Sequence, residues 1–138
     1  AIANGGTIYE PRVVKEIINN DKEEQVEKKI IRKNFAKGTN LETVRTGMKQ
    51  AVTSPEGTAH LLNNLPVTAA AKTGTAQIGV ENHNHDWIVA FAPYEEPEIV
   101  LTVLVQQVEG DQVTANKVAK NILEYYFNEN SATTESEG

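Results

Sequence analysis

The sequence predicts an α+β fold: an antiparallel sheet of at least three strands with a C-terminal helix packed on it. Three consecutive apolar segments span residues 68–78, 85–92 and 99–105, and an amphipathic stretch follows them. The connections between these segments are only a few residues long, too short for the crossovers that parallel strands require. The segments therefore predict a meander of neighbouring antiparallel strands.

The first third of the chain is predicted to form an exposed hairpin. Residues 7–18 are rich in β-branched side chains, with Pro11 at an edge or irregular position, and residues 25–31 resume as a charged strand. Between them, Asn19-Asn20-Asp21 has the composition of a turn. Ahead of the hairpin, residues 1–6 resemble the last turn of a helix closed by glycines in the left-handed region, and so predict that the chain was cut from something longer.

One amphipathic helix is predicted over residues 40–53. Its apolar side chains recur at helical spacing and are Leu41, Val44, Met48 and Val52. The segment Ser54-Pro55-Glu56-Gly57 ends it.

The three sheet segments differ in pattern. Residues 68–78 are small and β-branched, and Gly74 interrupts them where another backbone or a ligand could approach closely. Residues 85–92 are apolar on both faces, and residues 99–105 are apolar nearly throughout, a pattern typical of a strand buried on both sides. Residues 93–97 form a tight connection between the last two.

The last element is a helix from about residue 113 to residue 127. Its apolar stripe is formed by Ala115, Val118, Ala119, Ile122, Leu123 and Tyr126. After Asn128 the chain has no apolar anchor, so residues 1–128 are predicted to fold and residues 129–138 to form a disordered acidic tail.

Composition excludes several classes of function. The 138 residues include no cysteine, which excludes a disulfide scaffold, a thiolate zinc site and a cysteine nucleophile. The net charge of −6 and the lack of a basic stripe argue against nucleic acid as a partner. No apolar run approaches the roughly 20 residues that span a bilayer.

The segment Ala71-Lys72-Thr73-Gly74-Thr75-Ala76 is the strongest candidate site. A strand that presents a lysine, two hydroxyls and a glycine makes a cationic rim on which a carboxylate and an extended peptide can lie. A charge-assisted hydrogen bond of this kind contributes on the order of 1.5–3 kcal/mol. If only the four residues from Lys72 to Thr75 are considered, a strand with an ordinary surface lysine is the more common explanation.

Four separate pieces, in order, resemble the C-terminal part of the transpeptidase domain of class B penicillin-binding proteins, similar to penicillin-binding protein 2. They are residues 2–6 with Glu10-Pro11, residues 47–48 with 57–59, residues 70–77, and residues 85–93 with 97–99. The third piece contains the Lys-Thr-Gly motif of penicillin-binding proteins and serine β-lactamases. The resemblance implies that fold, and a location on the outer face of the cytoplasmic membrane, reached through an N-terminal anchor absent here.

The resemblance also implies roles for the motif in a serine acyltransferase that acts on D-Ala-D-Ala stem peptides and is acylated by β-lactams. Lys72 would hold and polarise the site, and the Thr73 and Thr75 hydroxyls would bind the terminal carboxylate. The Thr75 backbone N–H would be an oxyanion-hole donor and therefore catalytic, as would Lys72. Gly74 and Ala76 would lie along the substrate backbone, which would pair with the exposed strand edge.

The nucleophile of that family is missing from this chain. Its only serines are Ser54, Ser131 and Ser136, and none begins Ser-x-x-Lys or Ser-x-Asn. The chain alone is therefore expected to be inactive and to need the N-terminal part of its own domain as a partner. The alternative is a non-catalytic sensor module that binds a peptide or β-lactam with the same strand. Position 71 is Ala where the family often has Gly, which should crowd the strand only slightly.

Other candidate residues favour structural roles. His83 and His85 could share a strand face as metal ligands, but no third ligand is suggested, so no metal or cofactor is expected. Trp87 fits core or wall packing, and His60 fits either a loop near the site or solvent. The carboxylates Glu95, Glu96 and Glu98 flank a turn. A sheet without its usual neighbours would expose apolar surface and an edge, so self-association of the chain is also expected.

Overall fold

The computed structural model describes residues 1–19, 22–79, 83–109 and 113–134, with backbone only for 129–134. These residues divide into two compact units, Ala1–Val44 and Arg45–Gly138. Helix α1, Gly38–Thr53, crosses the boundary between the units. It contains the predicted helix; Leu41, Met48 and Val52 are buried as expected, whereas Val44 is exposed.

The first unit contains two small antiparallel pairs of strands. β1, Ile8–Tyr9, pairs with β4, Ile30–Arg32, and β2, Glu16–Asn19, pairs with β3, Lys22–Gln25. The β2–β3 pair confirms the predicted hairpin, although residues 20 and 21 of its turn lie outside the described residues. The two long strands predicted over 7–18 and 25–31 are wrong in extent. Each predicted strand is interrupted. The first is broken around Pro11, because proline cannot donate to a strand ladder and the Val13 side chain is fully exposed.

The start of the chain has the predicted geometry of a helix end. Gly5 and Gly6 have φ values of 78° and 102°, and the Gly6 N–H donates to the Ala1 carbonyl at 2.8 Å. A hydrogen bond from a residue to the carbonyl five positions earlier, with glycine in the left-handed region, is the pattern that closes α-helices.

The second unit carries the sheet that was predicted. Strands β5 (Ala70–Gln77), β6 (His83–Ala92) and β7 (Ile99–Glu109) form an antiparallel meander in the order β5-β6-β7. Helix α2, Thr114–Thr134, contacts β6 and β7. The α+β fold class, with its three-stranded antiparallel sheet and C-terminal helix, is thus confirmed.

The core of this unit lies on the sheet face that α2 covers. Its largest members are Leu62, Leu65, Ile88, Leu123 and Phe127, with several alanines of β5, β6 and α2 between them. On α2, positions Ala115, Ala119, Leu123 and Phe127 are buried, whereas Val118 and Ile122 of the predicted stripe are exposed. The buried positions recur every four residues, so the stripe ends at Phe127 and not, as predicted, at Tyr126.

The opposite face of the sheet corrects the prediction that β7 is buried on both sides. Val103 is buried on β7, but Val100 is 58% and Leu104 38% exposed. On β6, Trp87 and Val89 of this face are likewise exposed at 37%, and only Phe91 at its end is buried. The apolar composition of both faces could not show which face α2 takes. Self-association through this exposed face stays a prediction.

The C-terminal helix is longer than predicted. α2 continues past residue 128, where the folded part was expected to end, and reaches Thr134. A helix that has already formed adds further residues at little cost even without an apolar anchor. The rest of the expected tail, residues 135–138, lies outside the described residues. No helix in the described part of the chain is both long and apolar enough to cross a membrane.

Candidate functional site

The Lys-Thr-Gly segment occupies an edge strand. β5 pairs with β6 on one side only, in a continuous register from Ala70↔Phe91 to Gln77↔Asn84. Among the described residues no strand pairs with the other side of β5. Ala70 and Ala71 are buried, but Lys72 and the four residues from Gly74 to Gln77 are exposed. The motif therefore lies on an accessible strand edge, as the sequence predicted.

The motif residues divide between the two faces of the sheet. Thr73 and Thr75 are opposite Ile88 and Asp86, on the face covered by α2. Lys72, Gly74 and Ala76 alternate with them and lie on the opposite face, where Gly74 is paired with Trp87. An extended ligand along this edge would therefore meet two hydroxyls on one side and an ammonium on the other.

Lys72 provides the positive charge at this edge. Its ammonium group donates a short hydrogen bond to the Thr73 carbonyl, so the side chain lies along its own strand. None of the ion pairs between described residues involves Lys72. Its charge is consequently not neutralised by a carboxylate partner in the described part of the chain and can attract an anion.

Gly74 is not required by the packing of this chain. A Cβ at this position would lie 3.6 Å from the Trp87 Cβ, which is an ordinary van der Waals distance, and Gly74 does not have a positive φ. The lack of a side chain therefore keeps the strand surface open rather than relieving a clash. Trp87 is 37% exposed, so it is a wall beside the motif and not part of the core.

Asp86 lies beneath the Thr75 end of the motif. Its carboxylate is 1% exposed and accepts a hydrogen bond of 2.8 Å from the Ala115 N–H in the first turn of α2. A carboxylate at a helix N-terminus satisfies an N–H without an intrahelical partner and interacts favourably with the helix dipole. Asp86 thus ties α2 to the strand that pairs with Thr75. In the sequence only its place in the resembling segment 85–93 marks Asp86, although an acidic residue inside an apolar strand pattern is itself a signal.

A second connection joins the motif to the loop after α1. The Thr73 and Thr58 hydroxyls are 2.9 Å apart, and the Asn116 side-chain amide donates to the Thr58 carbonyl at 2.7 Å. The sequence patterns did not identify Asn116. They identified Thr58 only as part of the resembling segment 57–59. Their contacts join residues 15 and 58 positions apart, which no local pattern shows.

The histidines have structural surroundings. His60 begins the short 3₁₀ helix His60–Asn64, and its Nδ1 lies 3.0 Å from the Val52 carbonyl near the end of α1. This contact ties the segment to α1 rather than leaving the ring in solvent. His85 accepts a hydrogen bond of 3.2 Å from the Gln107 N–H at an irregularity of β6 and β7. The described residues contain no group of three or more side chains that could hold a metal ion.

The tight connection after β6 is held by aromatic and charged groups. The Arg45 guanidinium lies 5.0 Å from the centres of the Phe91 and Tyr94 rings, and Lys49 pairs with Glu95 at 3.3 Å. Glu95 therefore has a structural partner, and its pair is of the exposed kind that contributes about 0–1 kcal/mol. The cluster keeps the far end of β6 in place without touching the motif.

Comparison with known proteins assigns the family. The sequence profile described as the penicillin binding protein transpeptidase domain matches residues 1–124. The chain belongs to this family. The class B resemblance predicted from the four sequence pieces is confirmed.

Individual relatives and solved structures point to the same family. The chain is 30% identical over 103 residues to the peptidoglycan D,D-transpeptidase MrdA of Haemophilus influenzae, a match that covers 64% of this chain and 16% of that protein. The crystal structure of a D,D-transpeptidase domain from Eggerthella lenta superposes with a TM-score of 0.76 at 27% identity, covering 92% of this chain and 29% of that one. Penicillin-binding protein A of M. tuberculosis, solved as an imipenem acyl-enzyme complex, gives a TM-score of 0.74 at 26% identity over 91% and 28%. The chain thus spans less than a third of each.

Proposed function

We propose that this chain provides the substrate-binding strand of a peptidoglycan D,D-transpeptidase that β-lactams acylate. The observation that carries the proposal is the position of Lys72-Thr73-Gly74 on the edge of β5 that pairs with no strand in the described part of the chain. Membership of the transpeptidase family supports it, as does the imipenem acyl-enzyme form of a similar protein.

The edge can bind an extended peptide that ends in a carboxylate. The peptide backbone would add to the free side of β5, which gives main-chain hydrogen bonds and needs no deep pocket. Gly74 leaves room for this approach, and Ala76 continues the same open surface. The stem peptide ending in D-Ala-D-Ala, and a β-lactam that mimics it, have this shape and charge.

Each polar group of the motif has a task in this scheme. Lys72 attracts and holds the anionic ligand, and the Thr73 and Thr75 hydroxyls donate to its carboxylate. The Thr75 N–H stabilises the oxyanion that forms during acyl transfer, where the loss of one donor typically costs about 2.7–4 kcal/mol. These side chains and backbone groups bind and stabilise, and none of them is a nucleophile.

The serine nucleophile must be supplied from outside this sequence, since no Ser-x-x-Lys occurs in it. We assign residues 1–128 to the C-terminal portion of the catalytic domain, whose N-terminal portion is the partner that completes the site. The substrate places that domain outside the cytoplasmic membrane. The chemistry uses no metal ion or cofactor.

Labelled penicillin tests the proposal. The gene product that contains this chain with its preceding sequence should form a covalent adduct on a serine outside residues 1–138, whereas the 138-residue chain alone should form none. Boiled gene product serves as the control for non-specific labelling. Labelling of the 138-residue chain by itself, or no labelling of the longer product, would contradict the proposal.

A second candidate function is a non-catalytic sensor that binds a carboxylate-ended peptide or β-lactam with the same strand. The exposed edge of β5 is compatible with this function too, because binding alone needs no nucleophile. The preceding coding sequence separates the two, because an in-frame Ser-x-x-Lys supports the enzyme and its absence supports the sensor. Substitution of Lys72 weakens binding in both cases and does not separate them.

A further inference from the structure

The Thr73 hydroxyl has a partner that the motif itself does not contain. Thr73 lies in the middle of Lys72–Gly74, and its Oγ1 is 2.9 Å from the Oγ1 of Thr58 in the loop after α1. A hydroxyl has one proton to donate and can accept as well. In the structure Thr73 donates to Thr58. When a ligand oxygen accepts the Thr73 proton instead, Thr58 can turn its own proton toward Thr73.

The loop that carries Thr58 is fixed by backbone packing. A Cβ on the preceding Gly57 would lie 2.2 Å from the Ala51 carbonyl oxygen, so only glycine fits there. The Gly57 N–H donates to the Ser54 carbonyl at 2.9 Å, and the Ala59 N–H donates to the Ala51 carbonyl at 3.0 Å. Thr58 is therefore held between two residues that are anchored to the end of α1.

Asn116 holds the same residue from the other side. It is 2% exposed, and its side-chain amide donates to the Thr58 carbonyl at 2.7 Å. This bond fixes the orientation of the amide, because the reverse orientation would oppose two carbonyl oxygens. The Oδ1 of Asn116 is buried and has no hydrogen-bond partner among the described residues. A buried polar atom without a partner is costly, so an asparagine here serves the position of Thr58 more than the stability of the core.

We propose that Thr58 is a positioning residue that orients the Thr73 hydroxyl toward the ligand carboxylate, with Gly57 and Asn116 holding it in place. The proposal rests on the proposed function, since it concerns the same carboxylate. With the ligand bound, the Thr58 hydroxyl keeps the Thr73 rotamer fixed, and the hydrogen bond that Thr58 then donates polarises the Thr73 hydroxyl as a donor. The ligand would bind to Thr73 and not to Thr58.

The test is acylation of the full gene product by a penicillin and by its methyl ester. Thr58→Val removes the hydroxyl with little change in volume, Thr58→Ser keeps it, and Thr102→Val on β7 is the matched control. We expect the valine variant to lower the second-order acylation constant for the free carboxylate about five- to tenfold. The constant for the ester should stay within about twofold, and the serine and control variants should match wild type.

The results separate the possible explanations. An equal loss for penicillin and ester would show a purely structural role and overturn the inference, as would no loss for either. Thr58→Ala gives the same information if the valine variant does not fold, because the Thr58 side chain is exposed. Failure of the wild-type gene product to react would instead overturn the proposed function, and this inference with it.

Discussion

The two ends of strand β5 differ sharply although they belong to one continuous ladder. Ala70 and Ala71 are fully buried, and Ala71 packs in the core beside Ala90. From Lys72 to Gln77 the strand is largely exposed and carries the hydroxyls and the ammonium of the motif. One strand therefore has a buried structural end and an exposed end, and the exposed end is the one proposed to bind the ligand.

This division explains how an exposed edge can be held rigidly enough to bind. The buried end fixes the position of β5 on β6, and the register carries that position to the exposed end. Asp86 and Thr58 then support the exposed end from the α2 side. Substitutions at the two ends should therefore separate stability from binding.

The largest effect is expected at the buried end. Ala71→Leu inserts a larger side chain into a closed core and should lower the free energy of unfolding by about 3 kcal/mol. Urea unfolding of the gene product, followed by circular dichroism, measures this. Ala76→Leu adds the same atoms at the exposed end and should change stability by less than about 0.5 kcal/mol. Similar losses for the two variants would remove the distinction between the ends.

Lys72→Ala is expected to have a smaller effect, and the effect concerns ligand binding and not the free energy of unfolding. Loss of a charge-assisted hydrogen bond of about 1.5–3 kcal/mol should reduce penicillin acylation by roughly ten- to a hundredfold. Stopped-flow or gel-based acylation kinetics measure the constant. Lys117→Ala, an exposed lysine of α2, is the matched control and should react at the wild-type rate. The interpretation fails if Lys72→Ala reacts normally or if both variants lose activity together.

The smallest effect is expected for Gly74→Ala. Its Cβ would make an ordinary contact with Trp87, so the melting temperature should stay within about 2 °C of wild type. The methyl group would stand in the path of the ligand backbone, and acylation should fall about fivefold. Calorimetry and acylation kinetics on the same preparation check both statements. A large drop in melting temperature would show that glycine is required by the fold instead.

The elements of the second unit could be predicted from local sequence patterns. Long apolar segments with short connections define β5, β6 and β7, and the Lys-Thr-Gly motif marks the strand that is proposed to bind the ligand. The broken strands of the first unit could not be predicted, because Val13 and Val14 have β-branched side chains but are exposed and lie outside any strand. Their intrinsic preference indicates a strand, whereas the extent of a strand depends on its partners.

The supporting residues of the site were also beyond the sequence. Thr58 to Asn116 and Asp86 to Ala115 are contacts across 58 and 29 positions, formed only when α2 packs on the sheet. The burial of β7 was overestimated for a related reason. Its valines and leucines are compatible with cover on both faces, but α2 covers only one.

Hydrogen–deuterium exchange of the gene product, with and without a covalently bound β-lactam, tests whether the exposed end of β5 is the ligand-binding edge. We predict slower exchange in peptides that cover Lys72–Gln77 and unchanged exchange in peptides that cover Val100–Val105, on the opposite edge of the sheet. Unchanged exchange over Lys72–Gln77 in fully acylated protein would contradict the account.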